Sequence, residues 1–213
     1  LHSFPTRRSS DLHIALAKRD HLQFLLELLG EPRWLTPNNE FALNTGRAAA
    51  VLKLAAEKAG WGKPLPKGRA LGLAFHFSHA GHFAEVAEVG VDANKKIIVH
   101  RVVVAGDIGP VINLSGAENQ CEGSVIDGLS TAMGLELSIE NGRIQETNFD
   151  RYPILRIANA PQIDVHFIQS DYSPTGVGEP ALPPLAPAVC NAIFAATGHR
   201  VRTLPLRREG FTI

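Results

Sequence analysis

Cysteine is almost absent from this 213-residue sequence: Cys121 and Cys190 are the only two, and they lie far apart. Both fall in apolar, helix-like settings, so they read as buried thiols and not as a disulfide framework. An iron–sulfur cluster generally takes four protein ligands, mostly cysteine, so the chain cannot house a cysteine-ligated one by itself. Net charge is missing as well. Lys plus Arg and Asp plus Glu number 21 each, a balance that argues against nucleic acid or an anionic membrane as partner. No apolar run approaches the roughly 18 uninterrupted residues of a membrane helix, and the first residues lack the apolar stretch of a signal peptide. There is no Walker-type glycine loop, no Gly-x-Gly-x-x-Gly between strand and helix, and no Gly-x-Ser-x-Gly elbow. Phosphoryl transfer, ordinary dinucleotide binding and serine hydrolysis thereby lose their usual sequence support.

What is present is the 45% hydrophobic content of an ordinary globular protein, enough for one large domain or two small ones. Residues 1–12 are polar and aperiodic and are expected to be extraneous. Asp20 is placed to cap a helix whose Leu22, Leu25, Leu26 and Leu29 recur at helical spacing before Gly30. Asn44 or Thr45 opens a second helix with Val51, Leu52, Ala55 and Ala59 on its inner stripe. Residues 13–62 thus read as a helical lobe, and the Pro/Gly-rich Lys63 to Gly68 as a linker to the portion 63–213. There the period changes to alternation. Ala70 to Phe77, Phe83 to Val91 and Lys96 to Ala105 predict three antiparallel strands, the third of them central. A helix from Gly116 to about Leu137 carries Gly116, Gly123, Gly128 and Gly134, which mark either close approach to a ligand or close helix-on-sheet packing. A hairpin turning at Glu140-Asn141-Gly142-Arg143 and a strand from Ile163 to Ile168 complete an α+β pattern.

The residues with chemical promise are few. In Gly176-Val177-Gly178-Glu179-Pro180 two glycines free the backbone to approach a ligand, Pro180 stiffens the corner, and one carboxylate is left ahead of an apolar helix ending at Gly198. That suits a base with a shielded, tunable pKa; a solvated glutamate in a Gly/Pro turn is the plainer alternative. Gln120 begins the glycine-bearing helix, where an amide and free backbone N–H groups favour an anion such as a phosphate. His76, His79 and His82 invite a zinc reading, but on a strand 76 and 82 share a face while 79 points away, and Gly81 signals a turn. No cysteine lies near to complete a site, so no metal ligands are assigned.

Taken in order, Asn119-Gln120-Cys121-Glu122-Gly123, Asn148-Phe149-Asp150-Arg151-Tyr152-Pro153 and Gly176-Val177-Gly178-Glu179-Pro180 resemble the xanthine dehydrogenase/aldehyde oxidase family. More narrowly they resemble the C-terminal part of the large, molybdopterin-binding subunit of bacterial isoquinoline 1-oxidoreductase-type enzymes. Asn44-Thr45-Gly46-Arg47 and Glu57-Lys58-Ala59-Gly60-Trp61 extend the likeness, which runs from about Ile14 to Leu206. The resemblance implies an α+β fold, an antiparallel or mixed sheet flanked by helices, like the second molybdopterin-binding domain of molybdenum hydroxylases. It implies oxidation of an aldehyde or N-heterocycle with water as oxygen source, and Glu179 as the base beside molybdenum. Gln120 and the backbone of Gly176, Val177 and Gly178 would contact the cofactor, molybdopterin cytosine dinucleotide. Electrons would pass to a small [2Fe–2S] subunit and onward to an acceptor such as a cytochrome. Two departures, Ser124 where relatives often carry glycine and Ile108 where they carry cysteine, leave Glu179 and Gln120 in place. Nothing here matches the family's upstream molybdopterin-binding portion, so the chain is expected to supply one wall of the site and to be inactive alone. The rival expectation is a catalytically silent folding or assembly unit. The compartment, cytoplasm or periplasm, is left open.

Overall fold

Asp20 starts the first helix as its position predicts: its side chain accepts the Gln23 backbone N–H at 2.9 Å, and α1 runs His21–Leu29. The computed structural model describes residues 19–213; the expected extraneous segment, residues 1–12, lies outside them. Asn44 caps α2, Thr45–Ala59, by accepting the N–H groups of Gly46 and Arg47, and Gly60 ends it in the left-handed conformation that glycine tolerates. Three long strands follow: β1 (Arg69–Ser78), β2 (Gly81–Val91) and β3 (Ile97–Asp107). Next come α3 (Leu114–Met133), the two-residue strands β4 (Ile139–Glu140) and β5 (Arg143–Ile144), β6 (Gln162–Phe167) and α4 (Leu185–Thr197).

The main sheet has the order β1-β2-β3-β6, with β1, β2 and β3 antiparallel and β6 parallel to β3. The mixed α+β architecture expected above is therefore present, and β3 is an inner strand. Helices cover both faces. On one side α3 and α4 bury Val125, Leu129, Leu185 and Val189 against Phe83, Val102 and Val104. On the other, α1 and α2 bury Leu22, Val51, Leu52 and Ala55 against Leu73, Val86 and Ala105. A sheet covered twice needs apolar residues on both faces, which is why the expected alternation gives way to consecutive buried residues at Phe83-Ala84 on β2 and from Val102 to Ala105 on β3.

Helix α4 lies unusually close to β1. A Cβ placed on Gly72 would sit 2.1 Å from the Ala188 carbonyl oxygen and 2.2 Å from the Ala192 nitrogen, so backbone meets backbone there. The β1–β2 turn falls at His79 and Ala80, both with positive φ (51° and 61°), one step before the glycine expected to make it. Gly81 is instead the first residue of β2; a side chain there would press on Thr175 Oγ1 at 3.3 Å and on the Gly176 carbonyl at 3.5 Å. Helix α3 starts and stops a little earlier than its periodicity predicts, because Asn113 accepts the Gly116 N–H and Gly134 closes the last turn onto Ser130. Its glycines divide. Gly128 packs against Leu182 and Leu185, the helix-packing explanation, whereas Gly123 is exposed and faces open space.

Candidate functional site

The elements converge at one end of β3. The chain leaves the sheet at Asp107, turns through Ile108 to Asn113 and enters α3, whose second turn carries Gln120. The segment that follows β6 returns alongside it, and its Thr175 N–H donates to the Ile108 carbonyl at 3.0 Å. Between them lies a cleft of about 350 Å³ lined by Ile108, Val111, Gln120, Pro174, Thr175 and Val177, among others. Its lining is mostly apolar, with a few polar groups, the usual make-up of a small-molecule site.

The glycine corner closes onto α3. Ser124 Oγ donates to the Gly178 carbonyl, and a Cβ on Gly178 would lie 3.6 Å from Gln120 Oε1. Gln120 and Gly178 are thus neighbours although 58 positions separate them. Val177 lines the cleft, and Gly176 rests against His79. Glu179 sits in the turn that follows, closed by the Leu182 N–H to the Glu179 carbonyl at 3.1 Å, with Pro180 buried beside it. Its own side chain is exposed, outside the cleft lining, and makes no hydrogen bond or ion pair among the described residues. Of the five expected site residues, Gln120 and Val177 line the cleft, Gly178 lies against Gln120, Gly176 rests on His79, and Glu179 stands in an exposed turn without the shielding its sequence setting suggested.

Two groups near this site escaped the sequence pattern. Ser124 stood out only as a departure from glycine, yet its hydroxyl ties α3 to the corner. Thr175 Oγ1 is buried beside the cleft with no hydrogen-bond partner among the described residues, and nothing in the sequence marks it. Cys121, next to Gln120, is chemically quiet: burial, aided by the charges of Glu85, Glu122 and Glu118, pushes its thiol up to about 12. The two cysteines form no disulfide.

The three histidines do not meet. His82 is wholly buried and its Nε2 accepts the Asn44 N–H at 3.0 Å, while His79 is exposed at the hairpin tip. Among the described residues no group of three or more His, Cys, Asp or Glu is placed to hold a metal ion. No described helix is long and apolar enough to cross a membrane.

Comparison with known proteins identifies the family. A family model described as a molybdopterin cofactor-binding domain matches residues 47–161, just over half of the chain. The chain is 36% identical over 197 residues to a protein of Gluconacetobacter polyoxogenes named as a membrane-bound aldehyde dehydrogenase (pyrroloquinoline-quinone), covering 89% of this chain and 26% of that protein. It is 37% identical over 170 residues to the isoquinoline 1-oxidoreductase subunit beta of Brevundimonas diminuta, covering 78% of this chain and 22% of the relative. The chain thus spans only about a quarter of the length of these relatives. Among solved structures, the aldehyde oxidoreductase of Desulfovibrio desulfuricans superposes with a TM-score of 0.53 at 27% identity, over 59% of this chain and 14% of that one. Quinoline 2-oxidoreductase from Pseudomonas putida 86, at 22% identity and a TM-score of 0.55 over 59% of this chain and 17% of that one, shares the fold. With a family model matching over half of its length and relatives above 30% identity over most of it, the chain belongs to the molybdopterin-binding family of the xanthine dehydrogenase/aldehyde oxidase type.

Proposed function

We propose that this chain forms one wall of the cofactor site in a molybdenum hydroxylase that oxidises an aldehyde or an N-heterocycle with water as the oxygen source. The observation that carries the reading is the contact of Gln120 with Gly178, one residue before Glu179, at the edge of the cleft. The donor set fits a pterin. Gln120 offers a neutral amide, Gly176 and Gly178 offer backbone without side chains on either side of Val177, and the Thr175 hydroxyl has unspent bonding capacity. Gly123, one turn from Gln120, leaves space on the same side of α3. Bound there, the molybdenum centre would acidify water and accept two electrons. Gln120 and the bare backbone would orient the pterin edge, and the Ser124 bond would hold the corner to α3. The exposed Glu179 carboxylate, on a turn stiffened by Pro180, would accept the proton that the activated water gives up.

The cytosine dinucleotide form of the cofactor, a small [2Fe–2S] partner subunit and a cytochrome acceptor belong to the same proposal. Support for the partner comes from the shortage of cysteine in this chain and from the designation "subunit beta" of the Brevundimonas relative. The test is Glu179→Gln in an assembled enzyme that contains this sequence. Turnover should fall by roughly 10²–10⁴-fold, the usual cost of losing a positioned acid or base, with molybdenum content unchanged. Full turnover in that variant removes Glu179 from the role of base. Metal and quinone analysis of the same preparation separates molybdopterin from the pyrroloquinoline quinone in the name of the Gluconacetobacter relative. Absence of both molybdenum and quinone there would favour the silent assembly unit.

A further inference from the structure

Four donors converge on one carboxylate beneath the cleft. Asp107, 2% exposed at the end of β3, receives Arg47 Nε at 2.8 Å, Arg47 Nη2 at 2.9 Å, Ser170 Oγ at 2.7 Å and the Gly109 N–H at 3.3 Å. Arg47 Nη2 also donates to the Asp107 carbonyl at 3.1 Å. These donors belong to three different parts of the chain. Arg47 comes from the first turn of α2, Gly109 from the connection that carries one side of the cleft into α3, and Ser170 from the segment that leads to the glycine corner.

The two sides of the cleft also touch directly at this point. Gly109 has φ 75°, and a Cβ on it would lie 2.5 Å from the Tyr172 carbonyl oxygen, so the backbones are in contact. The Tyr172 ring covers the Arg47 guanidinium at 4.3 Å and meets Trp34 edge-on at 5.7 Å. Directional bonds to a buried charge fix separation more sharply than apolar packing, which tolerates sliding and substitution. Burial alone would raise the Asp107 pKa, but the bonds from Arg47 and Ser170 hold it below the usual carboxylate range. Asp107 is therefore a charged acceptor at neutral pH.

We infer that Asp107 is the positioning residue of this site: through Ser170 and Gly109 it sets the distance between the wall bearing Gln120 and the corner bearing Glu179. The inference rests on the functional reading above. It assigns the helices α1 and α2 a part as well, since Arg47 reaches the carboxylate from the far side of the sheet.

The test is made in an assembled enzyme containing this sequence. Ser170→Ala removes one donor from a half-buried position and leaves the ion pair intact. Misplacement by about 1 Å at a reacting centre costs up to roughly 10²-fold in rate, so kcat should fall about 3- to 30-fold. KM and molybdenum content should stay unchanged, the melting temperature should fall slightly because one hydrogen bond to the buried charge is lost, and amide exchange over residues 170–178 should quicken. Ser170→Thr, which keeps the hydroxyl, should restore kcat and exchange. In a second comparison, Arg47→Leu alone should be strongly destabilising, whereas Arg47→Leu with Asp107→Leu should regain most of the melting temperature because no unpaired charge is left buried. The double variant should not regain kcat. Wild-type kcat and exchange in Ser170→Ala, or recovery of kcat together with stability in the double variant, would overturn the inference. If the unmodified enzyme holds no molybdenum, the functional reading fails instead, and the exchange data still decide the positioning claim.

Discussion

Glu85 and His82 lie three residues apart on β2, are both fully buried, and oppose one another in their response to pH. Glu85 faces the α3–α4 side of the sheet, its cross-strand neighbours are Ala74 and Val104, and neither carboxyl oxygen has a hydrogen-bond partner among the described residues. Burial raises its pKa well above the usual carboxylate value. Between its unfolded and folded pKa values the native state keeps a proton that the unfolded chain has lost. Stability therefore falls as pH rises through that range, by about 1.4 kcal/mol per pH unit. His82 does the reverse. Burial first, and then the Arg47 charge, lower its pKa from 6.5 to about 4, so unfolding takes up a proton in that window. Stability is lost as pH falls from 6.5 to 4, by about 3 kcal/mol in all. The two slopes oppose each other just above pH 4.5. Glu85→Gln keeps the shape and removes one of them, so the variant should be more stable than the parent, increasingly so as pH rises. Its stability should also climb more steeply between pH 4.5 and 6.5. Urea melts at pH 4.5, 5.5 and 6.5 check this, and identical pH slopes would mean that Glu85 does not hold a proton in the fold.

The seating of α4 on β1 depends on the missing side chain of Gly72. The positions that its Cβ would contact belong to helix backbone and have no rotamer to change. Gly72→Ala must shift the whole helix, and a cost of about 1–3 kcal/mol, typical of overpacking, is expected in denaturant titration. The shift would also reach the glycine corner, which runs directly into α4. Gly72 illustrates which features were legible in the sequence. Helices α1 and α2, the three long strands and the Asn141-Gly142 hairpin follow from periodicity, caps and turn residues, all local signals. The parallel pairing of β6 with β3 is not local, because nothing within Gln162–Phe167 specifies the strand it joins. The Arg47–Asp107 pair spans 60 positions, and a charged residue looks the same in sequence whether its partner is solvent or a buried ion. For the site, the motif order located Gln120 and the glycine corner, whereas Ser124 and Thr175 matter through contacts that only the folded chain creates.

Across the whole molecule, one sheet serves two apolar cores. Among the described residues α1 and α2 have no other layer to cover them: their inner stripe lies on Leu73, Val86 and Ala105, while the opposite face of the same strands carries α3 and α4. The Arg47–Asp107 pair crosses between the layers, with both side chains less than 5% exposed. Separating the first helices from the sheet would expose the α2 stripe and leave an uncompensated buried charge, which typically costs 3–5 kcal/mol. The layers should consequently unfold together. Far-ultraviolet circular dichroism reports all helices, whereas Trp61 fluorescence, beside the Asp20 cap of α1, reports the α1–α2 side of the sheet and Trp34 fluorescence reports the contact of that side with Tyr172. Coincident midpoints and equal m-values for the two signals are expected, as required of a single cooperative transition. If tryptophan fluorescence changed at lower denaturant than the bulk of the helix signal, residues 19–62 would be a lobe that detaches on its own. Arg47 would then be unable to act as a fixed anchor for Asp107.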